Sequence, residues 1–404
     1  MSWEIKKLNS HVLNIIDYRG KTPPQSENGI PVISAAHVKK GKIIHCGKKF
    51  VSAATYEKWT TRGFIEAGDV LITTEAPVGE VAEVPADKTY LITRRVIALQ
   101  FDSSYTVNRF IKYYLLQDRV RESLSNKSHG STVPRVFKDD ILDIEIPTPP
   151  LQTQKRIADI LSAYDDLIEN NLKRIKLLER AAQNIYKEWF VNLRFPGHEN
   201  TPINEESVLP DGWSENEIST IINFLGGYAF KSKAYIENGK YRVITIKNVG
   251  DKVFNTSVGN SINAIPEKMK EHCKIIEGDI LLSLTGNVGR TCIAYGENNL
   301  LNQRVAKIEP INTKWLPYIY WMFNDNKIFS LINNLATGAA QQNLSPVKLA
   351  KEKIVIPSES IIDLYCIKAK SFFKKIILLN KQNQKLKVAR DILLPRLMNR
   401  TIEV

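Results

Sequence analysis

QTQKRIADILSAYDDLIENNLKRIKLLERAAQNIYKEW, residues 152–189, contains neither proline nor glycine. Ile157, Leu161, Tyr164, Ile168, Asn171, Ile175, Leu178, Ala182, Ile185 and Trp189 recur along it in a 4-3 alternation. An apolar stripe with that period, held for about five heptads, predicts a helix that shows one seam to a partner helix. A helix of 38 residues is a rod of about 57 Å at a rise of about 1.5 Å per residue. It is far longer than the usual about 11–12 residues, so a coiled-coil partner explains the stripe better than an ordinary core does. Asn171 falls inside the seam, where a polar residue costs stability and can fix register.

A second such segment closes the sequence. Residues 359–404 carry IILLNKQNQKL, which echoes the polar middle of the first rod, though the apolar spacing is less regular. Pro395 is expected to kink or shorten this helix near its end. The charges differ as well. Residues 364–400 hold ten Lys or Arg against Asp391 alone, whereas residues 152–189 are nearly balanced with seven basic and six acidic. A solvated face, bound DNA and an acidic partner are all consistent with that basic run.

The two rods end two copies of one plan. Trp3 matches Trp213, Asn28-Gly29 matches Asn238-Gly239, and GDVLI at 68–72 matches GDILL at 278–282. Val78-Gly79 matches Val288-Gly289, and Ile146-Pro147 matches Ile356-Pro357. All are 210 positions apart. PVISAAHV against RVITIKNV, and RRVIALQ against QRVAKIE, echo within a residue or two of that offset. The unit is too long for a solenoid, so each copy is a whole domain with its connection.

Within a copy, VLITT, YLITRRVIALQF and ILDIEIP have the composition of strands, and VNRFIKYYLLQDRVRESL that of a helix. The reading is a mixed α/β globule with a twisted, largely antiparallel sheet. Pro147, Pro149 and Pro150 stop its last strand and preset the entry to the rod. RFPGHENTPINEESVLPDGW, rich in Pro, Gly and acids, reads as a linker after which Trp213 opens the second globule. The expected division is 1–150 and 211–358 for the globules, 151–193 and 359–404 for the helical spacers, and 194–210 for the linker. If the rods pair antiparallel, a pseudo-two-fold axis crosses their middle and the globules sit at opposite ends, spaced by rods of fixed length. Such a molecule matches two half-sites on duplex DNA, whose strands share a two-fold axis.

Composition agrees with this. A net charge of +13, from 56 Lys and Arg against 43 Asp and Glu, favours a polyanionic partner. No window approaches the run of roughly 18 apolar residues that spans a bilayer, and MSWEIKKLNS lacks a secretory core, which predicts a cytoplasmic protein with no membrane role. Cys46, Cys273, Cys292 and Cys366 form no CxxC pair. His45-Cys46 and His272-Cys273 are adjacent, but neighbours in a strand point to opposite faces, so no metal site is expected.

Enzyme motifs are missing. An adenine methyltransferase would need an [ND]PP[YF] segment, and PP occurs only in KTPPQ and TPPL. There is no GxGxxG, and GKIIHCGKK at 41–49 has the wrong spacing for a phosphate loop. The scattered carboxylates form no recognisable nuclease constellation. A helical scaffold without DNA is the other class of protein this organisation could serve.

IPTPPLQTQKRIADILSAYDDLIENNLKRIKLLERAAQNIYKEWF at 146–190 resembles the central repeat of type I restriction–modification specificity subunits. LPDGW at 209–213, GGYAFKS at 226–232, GDILLSLTGNVGR at 278–290 and LLPRLMNR at 393–400 resemble the same family. The resemblance implies two target recognition domains, each reading one part of a split, asymmetric sequence in double-stranded DNA. It implies helical repeats that dock two methyltransferase subunits, joined by restriction subunits that translocate DNA. The chain itself would hold no cofactor and do no catalysis; S-adenosylmethionine, ATP and magnesium would belong to the partners. A two-component type II methyltransferase–nuclease could use the same kind of subunit.

Polar stretches at matched places supply the candidate DNA contacts. They are Arg19, Lys21 and Thr22, then Lys127, Ser128, Ser131, Thr132 and Arg135 in the first copy. In the second they are Tyr228, Lys231 and Ser232, then Thr337, Gln341, Gln342 and Asn343. Arg and Lys can bridge guanine acceptors, Gln and Asn can pair with adenine edges, and hydroxyls suit phosphates. For subunit docking and the coiled coil the candidates are Ile157, Leu161, Tyr164, Ile168, Asn171, Ile175, Leu178, Ile185 and Trp189.

Overall fold

A computed structural model describes residues 3–18, 22–44, 49–87, 89–130, 132–338 and 342–404. The chain forms two compact units, Met1–Leu167 with Leu386–Val404, and Ile168–Lys385. Each unit holds one globular head and a segment of both long helices, Leu151–Tyr186 and Glu359–Met398. The helices pair antiparallel. The first ends in a π-helical turn, Lys187–Val191. The second runs on through Pro395 to Met398, so the proline does not cut it short.

In the first unit, Val12–Ile16, Val96–Phe101, Val70–Thr73 and Val81–Glu83 lie in that order in an antiparallel sheet. Alternate side chains of the central strands enter two different cores, because neighbours in a strand face opposite ways. Val70, Ile72, Ile97 and Leu99 pack with Phe110, Ile111, Ile157 and Leu161, under the helices. Leu71, Val96 and Ala98 pack with Ile16, Val32 and Ile33 on the other face. That two-sided burial is why VLI is apolar without alternation.

The second unit repeats the sheet with Ile222–Gly226, Val305–Pro310, Ile280–Ser283 and Thr291–Ile293. The GD dipeptide recurs for one reason. Gly68 and Gly278 have φ of +91° and +95°, which glycine adopts freely. The Asp69 carboxylate then accepts from the Glu66 amide at 2.7 Å, and Asp279 from the Ile276 amide at 2.9 Å, closing the turn into the central strand.

Four expectations are corrected. The strands form several small sheets rather than one, and Ile30–Ile33 with Leu91–Ile92, and Tyr241–Ile244 with Asn299–Leu301, pair parallel. ILDIEIP is a strand only from Glu145, where Glu145–Thr148 pairs with Glu4–Lys7, while Ile141 and Leu142 end a helix, Lys138–Leu142. VNRFIKYYLLQDRVRESL is two helices, Asn108–Leu115 and Asp118–Asn126, broken where Gln117 turns extended. Its amide Nε2 donates to the Tyr114 carbonyl at 3.0 Å.

The fourth concerns the repeat. Thr148 pairs with Glu4, and Ile356 with Ser214, so the counterpart of Pro147 is Val355 and not Pro357. The offset is 210 from Val81 to Thr291, 209 from Val96 to Val305, and 208 from Asn108 to Leu316. The second head is a residue shorter in each of two loops, where length changes least disturb packing.

Between the first long helix and the second head, the 194–213 segment is anchored rather than slack. Phe195 and Trp213 are buried with ring centroids 5.3 Å apart, and the Asp211 amide donates to the Pro202 carbonyl at 2.8 Å.

Candidate DNA-reading surfaces

Both heads build the same frame at the end of the central strand. Thr73 in the first and Ser283 in the second donate through their hydroxyls to the carbonyls of Pro77 and Asn287, folding residues 74–79 and 284–289 into a tight turn. A second loop is laced to each turn: the Val136 amide donates to Thr74 O at 2.9 Å, and Leu344 to Leu284 O at 2.8 Å. Those laced loops are residues 127–135 and 337–343, which are the polar stretches singled out from sequence.

In the first head Lys127, Thr132 and Arg135 are exposed and Ser128 is half-buried. The Ser128 hydroxyl donates to Ser125 O at 2.6 Å, at the end of the preceding helix. The Arg135 guanidinium lies 5.2 Å from the Phe137 ring centroid, and the His129 ring stands 5.0 Å from that same ring. A cleft of about 310 Å³ between loop and turn is lined by Ala76, Pro77, Arg121, Thr132 and Pro134. Another, of about 440 Å³, is lined by Asp17, Arg62, Phe137, Lys138 and Asp139. Phe137 thereby links the loop to the start of DYRGKTPP. Thr22 is exposed, while Arg19, Lys21 and Ser131 lie outside the described residues.

In the second head Thr337, Gln342 and Asn343 are exposed, and the Gln342 carbonyl accepts from the Gly286 amide at 3.0 Å. Gln341 lies outside the described residues. Tyr228 is half-buried, held by its amide to Leu301 O at 2.8 Å, with its ring 5.1 Å from Phe230 and edge-on to it. Lys231 and Ser232 are exposed at the start of a 3₁₀ turn, Ser232–Ala234.

Residues of these turns recur in the repeat, as Val78-Gly79 and Val288-Gly289, but are not among the DNA-contact candidates taken from the sequence. Glu75 pairs with Arg95 in the first head; at the matching places the second has Thr285 and an exposed Arg304, with Asn287 exposed beside it. Their signal was present: a polar, glycine-bearing segment directly follows each repeated GD strand.

The seam residues are enclosed by this chain's own partners. Ile157, Leu161, Ile168, Asn171, Ile175 and Trp189 are buried, and Tyr164, Leu178 and Ile185 half-buried. A partner subunit would meet other faces of these helices.

Among the described residues no cluster of His, Cys, Asp and Glu could hold a metal ion, and no helix is long and apolar enough to cross a membrane. His45 and Cys46 lie outside the described residues. His272 and Cys273 sit in a 3₁₀ turn rather than a strand; both approach the Gly226 carbonyl, the imidazole at 2.9 Å and the buried thiol at 3.8 Å.

Comparison with known proteins accounts for the duplication. The family model for the type I restriction modification DNA specificity domain matches twice, over residues 2–180 and 210–388. The chain belongs to the type I restriction–modification specificity family. The MjaIX specificity subunit of Methanocaldococcus jannaschii is 26% identical, over 98% of this chain and 92% of that one. The MjaVIII specificity subunit of the same organism is 24% identical over 100% and 93%. The crystal structure of a type I system S subunit from M. genitalium shares the fold, with a TM-score of 0.57 at 19% identity over 98% of this chain and 96% of that one. As a specificity subunit the chain is the DNA-recognition component of its system and not the catalytic one.

Proposed function

We propose that this specificity subunit reads a split, asymmetric target in double-stranded DNA, one part with each head. The loops 127–135 and 337–343, the turns 74–79 and 284–289, and the stretches around Thr22 and Tyr228 carry the contacts. One observation carries the reading: the heads share a hydrogen-bonded frame and place different side chains on it. Arg135 stands where Asn343 does, and the Glu75–Arg95 pair where Thr285 and Arg304 do. Arginine suits guanine and asparagine suits adenine, so one frame with two sets of side chains yields two different half-sites. Arg304 and Asn287 join the candidates already named; Arg19, Lys21, Ser131 and Gln341 remain candidates on chemistry alone.

The helices dock two methyltransferase subunits, and restriction–translocase subunits join that core in the cytoplasm. Exposed apolar side chains support this, among them Leu172, Leu177, Ile367 and Leu378, at 49%, 63%, 73% and 54% exposure. Scattered exposed apolar groups are ordinary, but large aliphatic side chains this exposed on both long helices suit a protein interface. S-adenosylmethionine, ATP and magnesium act on those partners.

The test is a head exchange. With residues 1–145 replaced by the matching head of a relative and the methyltransferase supplied, methylated adenines should map to a motif changed in one half. A motif scrambled in both halves would overturn the modular reading.

A further inference from the structure

Two polar contacts interrupt the paired helices. In the second unit Asn171 Nδ2 donates to Asn383 Oδ1 at 3.0 Å, with the residues only 1% and 4% exposed. In the first unit Asp165 accepts from the Tyr113 hydroxyl at 2.7 Å and pairs through its other oxygen with Arg390.

The repeat fixes what else each side chain could meet. Buried positions of the two helices coincide at a separation of 208: Ile157 with Tyr365, Leu161 with Ala369, Ile168 with Ile376. By that offset Asn171 corresponds to Leu379, and Asn383 to Ile175. In an antiparallel pair, one turn forward on one helix is one turn back on the other. The layer next to Asn171–Asn383 is therefore Ile175 with Leu379, both buried. The native pairing puts two amides together and two aliphatic chains together. Two copies of the first helix would instead set Asn171 against Ile175 in both layers. Two copies of the second would set Leu379 against Asn383 in both.

The carboxylate follows the same logic. Tyr113, Asp165 and Arg390 correspond to Trp321, Phe373 and Ala182, all three buried. A pair of first helices would leave Asp165 facing Ala182, and a pair of second helices would leave Arg390 facing Phe373. Each like-with-like seam thus strands desolvated amides and breaks the Asp165–Arg390 pair, leaving Asp165 with the Tyr113 hydroxyl and Arg390 with the neighbouring Asp391.

We propose that these two contacts are a pairing code, which makes the two halves of this chain accept each other and reject a second copy of the same half. A single buried asparagine sets pairing in simple coiled coils on the same principle. The inference does not depend on DNA reading.

The full-length chain tests it. Equal amounts of ordinary and ¹⁵N-labelled protein are unfolded together, refolded and cross-linked at lysine. Mixed-isotope links between Lys173 and Lys176 report pairs of first helices, and those between Lys381 and Lys385 pairs of second helices. The native chain should give background levels. The variant Asn171→Leu with Asn383→Ile makes every alternative seam apolar at these layers. It should fold with a Tm no lower than native, and should raise mixed links on the order of ten-fold. A folded double variant with native levels of mixed links, or a native chain that already gives as many, overturns the proposal. If the double variant does not fold, Asn171→Leu alone must raise only first-helix links and Asn383→Ile alone only second-helix links; no rise in either overturns it equally.

Discussion

Arg135 and Asn343 stand at the same place in the two heads. Each exchanges two backbone hydrogen bonds with the residue six positions earlier, Arg135 with His129 at 2.8 and 2.9 Å, and Asn343 with Thr337 at 2.9 and 2.8 Å. The main chain is fixed by the frame and the side chain is left to the sequence. If these side chains read DNA as proposed, specificity changes without refolding the head.

Substitution at those positions should act on one half of the target. Arg135→Ala is expected to weaken discrimination in the first head's part by about 1–3 kcal/mol, and Asn343→Ala to do so in the second's. Methylation mapping of each variant with its methyltransferase reads this. Equal damage to both halves from either change would mean that the loops do not read DNA separately.

Binding should weaken steeply with salt. With a net charge of +13 and exposed cations on both heads, several phosphates are neutralised, each adding close to one unit to the log–log slope. Titration of the subunit–methyltransferase complex against duplex DNA between about 50 and 200 mM salt measures it. A slope near zero is incompatible with the proposed interface.

Gly227 is a stability prediction with a functional echo. A Cβ there would lie 2.3 Å from the backbone carbonyl of Asn302, on the strand connection that holds Tyr228. Gly227→Ala must push the main chain apart, at a cost of about 2 kcal/mol. Thermal unfolding should show the loss, and the second half of the methylated motif should blur while the first stays sharp.

Acidity should bear on the first long helix at Glu179. Burial pushes its carboxyl up to about 7, with Lys252 opposing and Asp251 adding to the shift. Since the folded group holds its proton more tightly than the unfolded one, its contribution to stability is most favourable in acid. It falls as pH rises from the unfolded value, about 4.3, to about 7, and is level above that. Glu179→Gln should flatten this part of the profile and stabilise the protein at pH 8 by about 1–2 kcal/mol. Urea midpoints at pH 5 and pH 8 decide it; a variant that follows the native profile would exclude Glu179 as its source.

The sequence alone determined the duplication, the two rods and the face the first rod buries. Those features are periodic, and period is a property of local geometry: every turn of the first long helix asks for the same apolar stripe, from Ile157 to Trp189. It also marked the GD turns, because a positive φ followed by a short carboxylate needs those two residue types in that order.

Tertiary structure decided the rest, because it depends on which distant groups meet. Strand pairing moved the counterpart of Pro147 from Pro357 to Val355, since two short loops are invisible to a fixed offset. Gln117 broke a helix whose apolar pattern runs on unbroken. The turns at 74–79 and 284–289 became candidate reading surface only when loops some fifty residues later were hydrogen-bonded to them. Tyr113, Asp165 and Arg390 span most of the chain, and nothing local to any of them signals the other two. Polar contacts carry no periodicity, so they are fixed only when packing brings a donor and an acceptor to the same place.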